Sequence, residues 1–467
     1  MLSLDDKLRK TFGDVVINKA LSQLQQVSRL PRFISEYLVM RICGENPSEQ
    51  DLARLSEFVR QHYPEPKDKD KILHDIMMKG SVKLMDEFKV ETDIRLGTHL
   101  VVIPSLNVRD AGIMNSIVEE YEGLLGSGMW GLATLNYSKR PEEETLTPII
   151  VAQFIPYQTP HIDFQEFCIK RQEFGIDEWI DVLINTIGVN PDQYDEQSKI
   201  VFLSRLASLV ETNCNLMELG PRATGKTYFY RNTSFYTRII SGGRVSPAVL
   251  FYNIATRREG EIAVRDSLIF DEVAKVSFIN PDEMMGKMKD YMVDGFFERG
   301  PKRAQSTCSL VFMGNVDVQS GLPTEDFSQA VPEFMSDSAF VDRIHGLIPG
   351  WELPKIMQVD RHLSRRYGLA TDYFCEVLHE LRKMDFQHYI SSRVALSENV
   401  TIRDERGIKK IASAMLKILC PNAIFTDQEL RIAMDTAVEY RQRIADWLHK
   451  LAPGEFPEKQ LNYHLRD

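Results

Sequence analysis

Cysteine is scarce in this sequence and never clustered. Cys43, Cys168, Cys214, Cys308, Cys375 and Cys420 stand singly along 467 residues, with no Cys-x-x-Cys pair. That spacing suggests neither a zinc site nor a disulfide framework, so the thiols are expected to be reduced, in a cytoplasm. No apolar run is long enough to cross a bilayer, and no membrane association is expected. The N-terminus, Leu2 to Asp6, carries acids and no apolar signal core, which argues against secretion. Positive charge is also short: 56 Lys and Arg face 67 Asp and Glu, for a net charge of -11. Mass electrostatics therefore give no attraction to nucleic acid, and any such contact must come from a local basic surface, such as a ring pore. Internal repeats and low-complexity segments are absent. What remains, 43% hydrophobic and 26% charged, is a soluble globular composition with length for several domains.

Against that background one motif stands out. Gly220-Pro221-Arg222-Ala223-Thr224-Gly225-Lys226-Thr227 reads G-x-x-x-x-G-K-T, a nucleotide phosphate-binding loop. Asn215 to Leu219 before it is strand-like, and Tyr228 to Arg231 after it can open a helix. The glycines let backbone N–H groups approach phosphate, and the helix start adds a favourable field. Lys226 would reach the β- and γ-phosphates of ATP, and Thr227 would ligate Mg²⁺. A chance match in a loop is the bland alternative; both flanks argue against it.

Ser267 to Phe270 is a second apolar run, ending in Asp271-Glu272. Buried parallel strands read as continuous apolar sequence, and their C-terminal ends deliver carboxylates to the ligand crevice. Asp271 is expected to hold Mg²⁺ and Glu272 to polarise the attacking water. A third strand, Ser309 to Gly314, ends at Asn315. In ring ATPases of the AAA+ class, which this arrangement resembles, an Asn here orients the lytic water; a simple turn is the alternative. Arg343, in Ser338 to Gly346, resembles an arginine finger, which acts on a neighbouring subunit's γ-phosphate. Its alternative is an ion pair within the subunit. Arg403, with Arg406 as competitor, fits the second-sensor position that couples nucleotide state to lid angle.

The fold class expected is α/β: an AAA+ P-loop NTPase with a helical lid, preceded by a helical and β-rich N-terminal region. Residues 1–80 read as helical, with Leu21, Leu24, Val27 and Leu30 on one helix face, a helix start at Ser48, and a charged connector from Pro64 to Lys71. Residues 81–160 form a β-rich module, barrel-like and of possible OB type. Its strands lie at Leu100 to Pro104, Gly131 to Leu135 and Pro148 to Ala152, with a helix over Ala111 to Leu125 and a solvated turn at Pro141 to Glu144. A helical linker follows over 161–211, the ATPase core over 212–353 and the helical lid over 354–467.

Two insertions bear on the substrate. Asp294 to Ala304 reads as a β-hairpin turning at Gly300-Pro301, its tip carrying Arg299, Lys302 and Arg303. It resembles the pore hairpin of replicative MCM helicases. Arg257 and Arg258 lie in a second loop, Thr256 to Glu261, where those helicases carry their helix-2 insertion. Repeated around a ring, such loops would concentrate positive charge and grip DNA phosphates without reading sequence. Each could instead be a solvated turn, and Phe296-Phe297 leaves a protein-threading pore loop open.

Phe164 to Phe167, the phosphate loop with its Pro221-Arg222-Ala223-Thr224, and Thr237 to Asn253 with Ile240-Ser241-Gly242-Gly243 carry a closer resemblance. They are similar to BrxL, the Lon-related AAA+ family of BREX phage-defence systems, over roughly residues 1–460. The resemblance implies an MCM-like core in hexameric rings, with stacking in pairs as dodecamers left open, on double-stranded DNA. It implies an N-terminal DNA-contacting domain, a role in restricting phage and contact with other BREX proteins. Family members continue into a Lon-protease-like domain after the lid; no nucleophilic Ser with a partner Lys is expected here, so proteolysis is not carried over. The function expected is an ATP-driven ring that encircles and translocates on DNA. The rivals are a protein unfoldase and a nucleotide-gated DNA clamp or scaffold.

Overall fold

A computed structural model describes residues 2–94, 96–138, 147–159, 162–324 and 326–466. The turn expected at Pro141 to Glu144 lies outside the described residues. The chain packs into two units: Ile17–Ile162 with Ala370–Glu376, and Met1–Val16 with Asp163–Leu369 and Val377–Asp467. The second unit thus gathers the segments read from sequence as linker, core and most of the lid.

The first unit is built on a closed barrel of five strands: β1 (Ser81–Asp93), β2 (Thr98–Ile103), β3 (Val108–Ile113), β4 (Met129–Tyr137) and β5 (Ile149–Pro156). The order is β1-β2-β3-β5-β4, closing back on β1, and β3 lies parallel to β5. Closure follows from the length of β1, which pairs with β4 through its first half and β2 through its last five residues. Phe88, Val101, Ile103, Ala133, Leu135 and Val151 fill the interior, and the barrel closes through a short seam where Gly112 and Ile113 pair with Ile150 and Val151.

Two expectations in this unit are corrected. The helix over Ala111 to Leu125 is instead the end of β3, a short helix Asn115–Glu120 and a 3-10 turn Glu122–Leu125, because Val101 pairs with Ala111 across the barrel. Leu21 to Leu30 forms no single helix but two 3-10 turns, Lys19–Gln23 and Gln25–Val27, broken at an extended Leu24. There the Ser22 hydroxyl donates to the Lys19 carbonyl and Asn18 accepts from the Ala20 N–H, so side chains take backbone partners that a helix would use. Ser48 does start a helix, Glu49–His62, through a reciprocal cap with Asp51. Much of the charged connector is a 3-10 turn, Pro66–Asp68, running into a helix, Lys69–Lys79.

The second unit holds a parallel five-stranded sheet. Its members are β6 (Leu216–Gly220), β7 (Thr237–Val245), β8 (Ser267–Phe278), β9 (Ser309–Asn315) and β10 (Gly346–Pro349), in the order β10-β6-β9-β8-β7. β9 therefore lies between the strand entering the phosphate loop and the strand that carries Asp271 and Glu272 and runs on to Phe278. β6, β9 and the Ser267–Asp271 part of β8 are almost entirely buried, as continuous apolar sequence requires, and the Phe270 and Phe312 rings stack across them at 5.2 Å. C-terminal to the sheet run two long helices, Ile402–Leu419 and Asp427–Leu451, each opened by a reciprocal Thr–acid cap. The fold is mixed α/β. Among the described residues no helix is long and apolar enough to cross a membrane.

Candidate functional site: a phosphate loop and a separate arginine pair

β6 delivers the phosphate loop, and the helix Lys226–Thr233 begins on its last residues. Gly220 is required by close approach: a Cβ there would lie 2.5 Å from the Gly350 backbone. Gly225 takes a left-handed φ of 77° at the helix entrance. Ala223 takes φ 67° without being glycine, so the loop holds local strain of roughly 1–2 kcal/mol. The Lys226 ammonium donates 2.8 Å bonds to the carbonyls of Gly220 and Pro221. Burial pulls its pKa down to about 8.

Across the crevice the Thr227 hydroxyl donates to Asp271 Oδ2 at 2.8 Å, and Ser241 approaches the same oxygen at 3.4 Å. A hydroxyl and a carboxylate converging beside a phosphate loop form a donor set that fits Mg²⁺, a cation completed by phosphate and water oxygens. Glu272 follows on a left-handed backbone, φ 49°, where β8 shifts register against β7 between Asp271 and Val276. Its carboxylate bonds Lys275 at 2.9 Å, and that hydrogen bond holds it below the usual carboxylate range, so it is ionised. Asn315 ends β9 directly opposite Gly220.

Arg343 is elsewhere. Gly346 pairs with Leu216, and the His345 N–H donates to the Asn215 carbonyl at 2.8 Å, so the Asp342–His345 turn joins the start of β6. The phosphate loop leaves the other end of that strand, roughly 15 Å away along it. Arg403 is at the start with Arg343: its guanidinium pairs with Asp342, and burial and then the charge of Arg403 depress the Arg343 pKa. Arg406 donates to the Val293 carbonyl.

Both insertions are hairpins. Phe296–Arg299 pairs with Lys302–Gln305 around Gly300-Pro301, and Tyr252–Asn253 pairs with Arg258–Glu259. The two hairpins touch: Lys302 pairs with Glu259, Arg299 donates to the Tyr252 carbonyl, and Ile254 packs against Gly300. Arg303 and Arg257 are exposed, whereas Arg299, Lys302 and Arg258 are half-buried. Phe296 is 44% exposed, but Phe297 is a core residue against Phe251 and Tyr291.

Sequence reasoning missed two supports of this site. Arg205 and Glu218 form a fully buried two-point ion pair beneath the loop, at 3.0 and 2.6 Å, and Arg205 also donates to the Thr224 carbonyl at 3.2 Å. An acid inside the apolar run Leu216-Met217-Glu218-Leu219 was the available signal. The other support is Arg441, buried behind Arg343 and Arg403 and bonded to both Asp342 and Asp404.

The ATPase-domain model of the family described as "Lon-like protease BrxL-like" matches residues 149–462. The model described as "BREX system Lon protease-like protein BrxL N-terminal" matches residues 10–137. The chain is 33% identical over 466 residues to a "Lon-like protease BrxL" of Escherichia coli O9:H4 (strain HS), covering 98% of this chain and 67% of that protein. It is 32% identical over 470 residues to a protein of the same name from Bacillus cereus (strain H3081.97), covering 99% of this chain and 69% of that one.

Proposed function

The chain belongs to the BrxL family and carries its ATPase domain, and from that premise we propose that it is an ATP-hydrolysing AAA+ ring that encircles duplex DNA and translocates on it in BREX antiviral defence. One observation carries the ring: Lys226, Thr227 and Asp271 stand at one end of the sheet strands, while Arg343 and Arg403 stand at the other. Arginines so placed cannot serve their own phosphate loop but can serve a neighbour's, and a head-to-tail contact of that kind closes into a ring. Hexamers, stacked in pairs as dodecamers or single, satisfy it equally.

In this reading Gly220 to Gly225 offer backbone N–H groups to the phosphates of ATP, and Lys226 leaves the loop carbonyls to meet the β- and γ-oxygens. Mg²⁺, held by Thr227 and Asp271, would neutralise charge on those oxygens when bound. Glu272 leaves Lys275 and accepts a proton from the attacking water as that water adds to the γ-phosphorus; the β–γ bridging bond breaks and ADP leaves with the electron pair. Asn315 orients the water. Arg343 of one subunit, with Arg403 beside it, meets charge on the next subunit's γ-phosphate. This differs from a second sensor acting on its own nucleotide, because Arg403 pairs with Asp342 in the turn that carries Arg343.

DNA as substrate is supported by the paired hairpins, whose exposed Arg303 and Arg257 suit phosphate contact. Burial of Phe297 leaves Phe296 as the exposed aromatic of this hairpin, which reduces the surface that a protein-threading loop would use. The closed barrel, of a kind whose members bind oligonucleotides, is a second DNA-contacting element. Displacement of a protein roadblock from linear duplex tests the motor. Displacement that requires ATP and is abolished by Glu272→Gln supports translocation; DNA-bound rings that hydrolyse ATP without moving the block identify a clamp.

A further inference from the structure

The face that holds Arg343, at the strand end away from the phosphate loop, contains a buried network of charged side chains. Asp342 is at its centre, 8% exposed at the side chain. One carboxylate oxygen accepts from Arg441 at 3.0 Å and the other takes the Arg403 guanidinium. Arg441 is almost completely buried. Its guanidinium also donates to the carbonyls of Asp342 and Ile344, on both sides of Arg343. Its Nε donates at 2.8 Å to Asp404, which caps the helix carrying Arg403 and takes Lys459 as a further partner. The backbone turn under Arg343 and the helix start under Arg403 are therefore tied to one guanidinium. The Arg343 Nε is buried without a hydrogen-bond partner, so the adjoining fold does not fully satisfy this side chain.

We propose that Asp342 is a positioning residue for the trans site: clamped by Arg441, it holds Arg403 beside Arg343 so that the two cations are presented together to the neighbouring subunit's γ-phosphate. Two guanidiniums side by side repel each other, and the Asp342 carboxylate, bonded to Arg403 and acting on Arg343 through its charge, offsets that repulsion. Asp342 touches no nucleotide in this account and acts only through the arginines. The inference rests on the ring reading above.

Full-length Asp342→Asn, Asp342→Glu, Arg343→Ala and Lys226→Ala are assayed alone and as co-assembled mixtures. Asp342→Glu keeps a negative charge for Arg441 and moves only the carboxylate, which guards against loss of folding in Asp342→Asn. Both Asp342 variants are expected to assemble and bind ATP as the parent does, with kcat lowered about tenfold or more and KM little changed. A mixture of Asp342→Glu with Lys226→Ala should regain about a quarter of parental turnover, the share of interfaces joining a sound loop to a sound arginine pair. A residue needed only for folding of its own subunit gives no such rescue. Parental kcat in Asp342→Glu, or no rescue from assembled mixtures, overturns the proposal when Arg343→Ala is inactive. Activity in Arg343→Ala instead removes the ring reading beneath it.

Discussion

Glu218→Gln is expected to cost more stability than any surface change in the ATPase unit. Glu218 and Arg205 are both fully buried, and the carboxylate meets the guanidinium at two points, 2.6 and 3.0 Å. Replacing the carboxylate by an amide leaves a guanidinium in the interior without counter-charge. Breaking a buried pair from one side costs about 3–5 kcal/mol. With an unfolding entropy near 2 cal/mol/K per residue, a unit of this size should melt roughly 5–8 °C lower. The double change Arg205→Met with Glu218→Leu removes both charges together and should recover most of the loss, since buried pairs replaced by apolar groups are often neutral. One Arg205 nitrogen already lacks a partner, which favours that recovery. Recovery of stability should not restore function fully, because the Thr224 carbonyl loses the bond that Arg205 gives it from beneath the loop. Differential scanning calorimetry of the parent, Glu218→Gln and the double variant measures the loss and its recovery, with KM for ATP read on the same samples. A Glu218→Gln loss below about 1 kcal/mol, the scale of a surface pair, would refute the reasoning.

Nucleotide affinity should depend on pH through Lys226, whose pKa in the free protein is about 8. Bound phosphate favours the ammonium and raises that value, so affinity is fully present below pH 8 and falls as pH rises above it, up to about tenfold per unit; calorimetric Kd values from pH 7 to 9 check this. Glu272→Gln should keep ATP affinity and lose turnover by at least about a hundredfold, read by ATP retention on rings; parental hydrolysis would reject the base assignment. Phe297→Ala should destabilise the unit by about 3–5 kcal/mol, while Phe296→Ala should leave the stability within about 1 kcal/mol of the parent, both read by thermal melting. Arg257→Ala with Arg303→Ala should weaken duplex binding and lower the salt slope by about 0.9 for each DNA phosphate that is no longer neutralised, measured by titration at several salt concentrations.

Local signals carried through to the fold most clearly. Ser48 with Asp51 opens a helix, the apolar runs ending at Asp271 and Asn315 are central strands, and Gly300-Pro301 turns a hairpin. Each depends on neighbours within a few residues. Failures came where local periodicity competed with side-chain bonding, as at Asn18 to Gln23, or with long-range pairing, as at Ala111 against Val101. In the candidate site, Thr227 and Asp271 could be named from their motifs, and their side chains meet at 2.8 Å. Arg205, Asp342 and Arg441 could not be, because their partners are set by the packing of distant segments. Arg403 shows the same limit: the end of the sheet it faces depends on the tertiary fold.

The central claim is a ring whose sites are completed between subunits and whose turnover answers to DNA. ATP hydrolysis measured with and without duplex DNA, with particle mass read in the same buffers, tests it most directly. The account predicts particles of six subunits or a multiple, with turnover raised by duplex and lost in Arg343→Ala. A monomer that hydrolyses ATP, or an oligomer whose turnover ignores duplex, would contradict it.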